Sequence, residues 1–126
     1  MTSLDRERVG QAIGTALAGP GGVGLVLRVF CGVPGVILVP ARRGFFRSQP
    51  ERVQIGNWRY EVTPDGRLCA AHLVNGIVLA EEVLAAGAVG PHIARALGQL
   101  VSGYGPTIIP NIDAALEVLE AGTGPR

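Results

Sequence analysis

The chain reads as an α+β domain with helices laid on one face of an antiparallel meander. Three observations predict this. The middle, up to Leu79, is cut into strand-length runs by the turn signals Gly56-Asn57, Pro64-Asp65-Gly66 and Asn75-Gly76. Both ends carry apolar residues at helical spacing. The order is one helix, about five to six strands, then two to three helices, which suits a single domain over residues 1 to 126.

The first helix spans residues 4 to 18. Thr2 or Ser3 can cap it, and Asp5 and Glu7 fall in its first turn, where the helix dipole favours acids. Val9, Ala12, Ile13, Ala16 and Leu17 form its apolar face. The run "GPGGVG" then stops it, because glycine accepts the left-handed conformation past a helix end. Two valine-rich runs, residues 23 to 31 and 36 to 40, read as central strands, apolar on both faces and joined through "GVPG". A loop, "ARRGFFRSQPE", comes next.

The turns fix the register of the meander. A two-residue loop at Gly56-Asn57 sets Ile55 opposite Trp58, Val53 opposite Tyr60, and Arg52 opposite Glu61. Apolar then meets apolar and opposite charges meet. A three-residue loop at Pro64-Asp65-Gly66 sets Val62 opposite Leu68, Tyr60 opposite Ala70 and Trp58 opposite His72, whereas a two-residue loop moves His72 to the other face. Around Asn75-Gly76, Val74 faces Ile77, Leu73 faces Val78 and His72 faces Leu79. Beyond Ala80, "AEEVLAAG" reads as a short helix. A longer one starts at Pro91, a favoured first position, and stops at Gly103; its stripe is Ile93, Ala96, Leu97, Leu100 and Val101. The last begins near Asn111, with Ile112, Ala115, Leu116 and Leu119 on one face.

Composition narrows the function. Of 126 residues, 48% are hydrophobic and 17% charged, enough for one ordinary core. The net charge of +1 offers no general attraction to nucleic acid or an anionic membrane, so neither is an expected partner. All 11 basic residues are arginine, most simply the codon bias of a high-GC bacterial genome. Residues 28 to 67 are net basic and residues 80 to 126 net acidic, a division suited to contact within the fold or between two copies. The N-terminus lacks the apolar core of a signal peptide, and the valine-rich runs are interrupted by Arg28 and Pro34-Gly35. A cytoplasmic location is expected, with Cys31 and Cys69 as reduced, buried thiols.

Most catalytic readings fail on geometry. A phosphate-binding glycine loop needs a strand before it and a helix after it; "GPGGVG" is expected to lie in the reverse order. Cys69 and His72 form C-x-x-H, but three-residue spacing on a strand points them to opposite faces. No metal site or cofactor is expected. None of Ser3, Ser48 and Ser102 sits in a nucleophile elbow, so no catalytic residue is assigned.

Two clusters remain. Trp58, Tyr60 and His72 line one patch in the register above, either as sheet-face core or as a site for a small, flat, apolar ligand. Arg42, Arg43, Phe45, Phe46 and Arg47 mix aromatic and cationic side chains in a loop, the composition of a protein-recognition surface. Tyr104, Ile108 and Ile109 read as a loop packed on the core or as part of an oligomer seam.

The helix at 4 to 18, the strands through Leu79 and the helix at 91 to 103 resemble, in element order, the small secretion-chaperone-like α+β proteins. The extra helix at 111 to 121 departs from that pattern. The resemblance implies a homodimer that binds a partner protein and assigns no catalytic residue. The sequence thus favours a non-enzymatic interaction protein, with a small-molecule carrier or sensor as the alternative and an enzyme third.

Overall fold

Helix α1 (Arg6–Leu17) starts at Asp5, whose carboxylate accepts the Arg8 backbone N–H at 3.1 Å. Asp5 is therefore the N-cap. The structure, a computed structural model, describes residues 4–19, 22–44 and 48–121, so Thr2 and Ser3, the expected caps, lie outside the described residues. Val9, Ala12, Ile13 and Ala16 are buried along one face, as their spacing predicts.

The next element departs from expectation. Residues 23 to 31 are not a strand: α2 (Gly22–Val29) is a helix, continued by a single 3₁₀ turn at Phe30–Gly32. Its buried side chains, Val26, Leu27 and Phe30, recur at helical spacing and pack with α1 and the last helix. Burial on that stripe outweighs the β-propensity of valine. The expected second strand survives as β1 (Ile37–Val39).

The basic segment is a small ribbon rather than a plain loop: β2 (Arg42–Arg43) pairs with β3 (Ser48–Gln49). The main sheet comprises β1, β4 (Arg52–Ile55), β5 (Trp58–Val62), β6 (Leu68–Val74) and β7 (Ile77–Leu84), in the order β1-β4-β5-β6-β7, all antiparallel. The first two hairpin registers are those predicted, including Arg52 opposite Glu61 and Trp58 opposite His72. The β6–β7 hairpin keeps Val74 opposite Ile77 and Leu73 opposite Val78, with Asn75 at φ 52° in the turn. His72, however, faces Ala80 and not Leu79. A β-bulge at Leu79 absorbs one residue, and the Leu73 N–H bonds the Asn57 carbonyl at 2.8 Å.

"AEEVLAAG" is likewise corrected: Ala80 to Leu84 belong to β7, and α3 (Ala86–Tyr104) begins directly after Ala85. Pro91 lies inside α3, not at its start, and the helix ends at Gly105 (φ 94°), two residues beyond Gly103. A 3₁₀ turn at Pro106–Ile108 leads into α4 (Ile109–Ala121), so Asn111 is within the helix and does not cap it.

The fold is α+β, as predicted. Helices α3 and α2 contact β4 and β5, while α1 packs on α3, α4 and α2. One core joins Ile13, Phe30, Ile55, Tyr60, Leu68, Ile93, Leu97, Ile112 and Leu116. At the α1–α3 crossing Gly90 lies against Gly10; a Cβ there would meet the Gly10 carbonyl oxygen at 2.9 Å. No helix among the described residues is long and apolar enough to cross a membrane.

Candidate functional site

Alternation along β5 and β6 puts Trp58, Tyr60, Ala70 and His72 on the helix-facing side of the sheet. The three predicted ligand residues are brought to one face but do not act as one group. Trp58 and His72 stack, with centroids 4.7 Å apart and planes 25° from parallel. Tyr60 turns away into the core, and its hydroxyl lies 2.8 Å from Nδ1 of His92 on α3. The His92 ring also meets Trp58 edge-on at 4.3 Å.

His92 is the residue that sequence reasoning misses. In the structure it is the link between helix and sheet. The one signal for it is its place on the same helix face as Val89, Ile93 and Ala96. Burial holds its pKa below the ordinary value, helped by the charge of Arg95 and opposed by Glu82. Burial also pushes the Tyr60 hydroxyl well above the usual phenol range. The pair is thus a neutral imidazole and a neutral phenol at pH 7.

A hollow of about 250 Å³ is lined by Trp58, Ala70, Ala80, Glu81 and Glu82, and neither Tyr60 nor His92 is part of its wall. Among the described residues the Nε2 atom of His92 is buried with no hydrogen-bond partner, and a carboxylate oxygen of Glu82 is 4.0 Å away. Such an unsatisfied buried atom costs about 1–3 kcal/mol.

The other predicted residues lie elsewhere. Arg42 and Arg43 stand on the β2–β3 ribbon, while Phe45, Phe46 and Arg47 lie outside the described residues. Cys69 and His72 do face opposite sides of the sheet, and among the described residues no cluster of three metal-binding side chains forms. Cys31 and Cys69 are unpaired thiols, but half-buried rather than buried. Ile108 and Ile109 are core residues, while Tyr104 is 60% exposed.

The glycine run also needs correction. It leads into a helix and not a strand, so chain direction no longer argues against an anion there. Gly22 opens α2 at the wall of a cavity of about 410 Å³, shared with Arg67, Ala85 and Ala86. Arg67 is already 3.5 Å from Asp65.

A second feature is an edge. Strand β7 ends the sheet, and all its residues except Leu84 are exposed, with Ile77, Leu79 and Val83 more than half exposed. Residues 1–121 match the family model described as a domain of unknown function, DUF5073. The chain belongs to that family. No match is found among curated proteins or among solved structures. Within this DUF5073 chain, the hollow beside Trp58 and the β7 edge are therefore weighed on their own chemistry.

Proposed function

We propose that the chain is a cytoplasmic, non-enzymatic interaction protein that works as a homodimer joined edge to edge through β7. The observation that supports this is the eight-residue strand at the end of the sheet, exposed along almost its whole length. Its outer row of backbone N–H and C=O groups has no strand beside it among the described residues, and its sequence, IVLAEEVL, holds neither lysine nor proline to discourage pairing. An antiparallel second copy answers both the hydrogen bonds and the apolar side chains. The basic stretch Arg42, Arg43, Phe45, Phe46 and Arg47 is the proposed surface for a further protein partner.

Light scattering tests the pairing. The wild type is expected at twice the chain mass of 13.1 kDa, and Val83→Lys at the single mass with unchanged circular dichroism. A monomeric wild type overturns the reading. A second reading, a small-molecule carrier, is favoured by the hollow beside Trp58 and the unsatisfied His92.

A further inference from the structure

We infer that the cavity between the helix starts and the end of the sheet holds a short- to medium-chain carboxylic acid. Its hydrocarbon tail lies on the apolar walls and its ionised head on Arg67. The site is separate from the exposed row of β7 and does not depend on pairing there. Its place follows from the chain. Helix α1 ends at Leu17 and α2 begins at Gly22; the β5–β6 turn brings Gly66 and Arg67, and β7 runs into α3 through Ala85. All of these border one space of about 410 Å³, within the range of small-molecule sites.

The walls select the tail. Leu17, Val23, Leu68, Leu84 and Val89 form their apolar part. Leu68 stands opposite Leu84 across β6 and β7, so these two lie side by side. Leu68, Leu84 and Val89 belong to the core, whereas Leu17 and Val23 pack against it and stay only half buried. The space is open because Gly22, Gly66, Ala85 and Ala86 bring almost no side-chain volume to it. A Cβ at Gly22 or Gly66 would meet nothing within 4 Å. A hydrocarbon tail there removes apolar surface of both partners from water.

The charge selects the head. Among the described residues of the wall, Arg67 is the one ionisable side chain, and it is two-thirds exposed, within reach of a bound molecule. Asp65 stands 3.5 Å from its Nε, an exposed pair that water weakens. The two terminal nitrogens remain for a planar carboxylate, which a guanidinium grips with parallel hydrogen bonds. One guanidinium balances one negative charge, so a carboxylate suits it better than a phosphate dianion. The helix starts reinforce that sign: neither α2 nor α3 has an acid in its first turn, and Ala85 gives α3 no side-chain cap.

The test titrates octanoate while following the backbone cross-peaks of Gly22, Val23 and Ala86 in a nitrogen-15 correlation spectrum. Octanoate is expected to shift them saturably. Butanoate is expected to bind more than about tenfold more weakly, since each buried methylene tightens binding about three- to fourfold. Octanol is expected to lose about tenfold, the contribution of one charge-assisted contact, and octylammonium not to bind. Arg67→Ala, at an exposed turn position, is expected to weaken octanoate about tenfold and leave octanol unchanged. Butanoate equal to octanoate overturns the tail assignment, and with it the proposal. Octanol equal to octanoate, full octanoate binding in Arg67→Ala, or no saturable shift at these positions overturns it too. Light scattering on the same samples reads β7 pairing separately, so the two proposals fail independently.

Discussion

Strands β6 and β7 are paired residue by residue, yet they live in different surroundings. Leu68, Ala70, Ala71 and Leu73 of β6 are buried, whereas β7 exposes every residue but Leu84. The two strands are about equally apolar: LCAAHLV against IVLAEEVL. The difference is coverage, since the main helix–sheet contacts fall on β4 and β5 while β7 lies at the far edge. Apolar sequence therefore reports demand for burial, and in β7 that demand is unmet within one copy of the chain. This is why its edge carries the proposed interface.

Removing core packing under the covered strands is expected to have the largest effect. Leu97 on α3 is fully buried, and Leu97→Ala is expected to cost about 2–5 kcal/mol in denaturant unfolding, from lost burial plus a cavity. Leu79→Ala on the edge, at 62% exposure, is expected to change the folding of a single copy by under about 0.5 kcal/mol. Comparable costs at the two sites break the contrast. If the Leu79 change instead lowers stability only where the dimer is populated, the contrast sharpens, because the lost burial is then between copies.

The legibility of the sequence has the same division. The meander is readable because its turns contain glycine or asparagine at positions needing positive φ, Gly56 at 60° and Asn75-Gly76 at 52° and 79°. Those turns fix the register, and register alone places Trp58 beside His72. The run at residues 23 to 31 misleads because valine favours strands locally. The positions that decide it, Val26, Leu27 and Phe30, are helical in spacing but short in extent. The Tyr60–His92 contact is not readable at all: it joins a strand to a helix 32 residues away, and no turn sets that distance.

That contact gives the next effect in size. Tyr60→Phe keeps the ring in the core but strips His92 Nδ1 of its hydrogen-bond partner, which is expected to cost about 1–3 kcal/mol in denaturant unfolding. A loss well below that range breaks the contrast, because the covered side then depends on apolar packing alone.

The smallest expected effect is on pH dependence. His92 in the folded chain has a pKa below its ordinary value of 6.5, because burial disfavours the imidazolium. Between its folded value and about 6.5 the unfolded chain binds more protons, so stability rises with pH across that window. The contribution is complete above about pH 6.5 and is lost as pH falls toward the folded value. Denaturant midpoints at about pH 7.5 and about pH 5.5 measure it, above the range where most carboxylates titrate. The slope is expected to shrink in His92→Gln. If the slope is the same in His92→Gln, burial against the covered side of the sheet does not set the pH dependence, and the contrast between covered strands and open edge is one of packing alone.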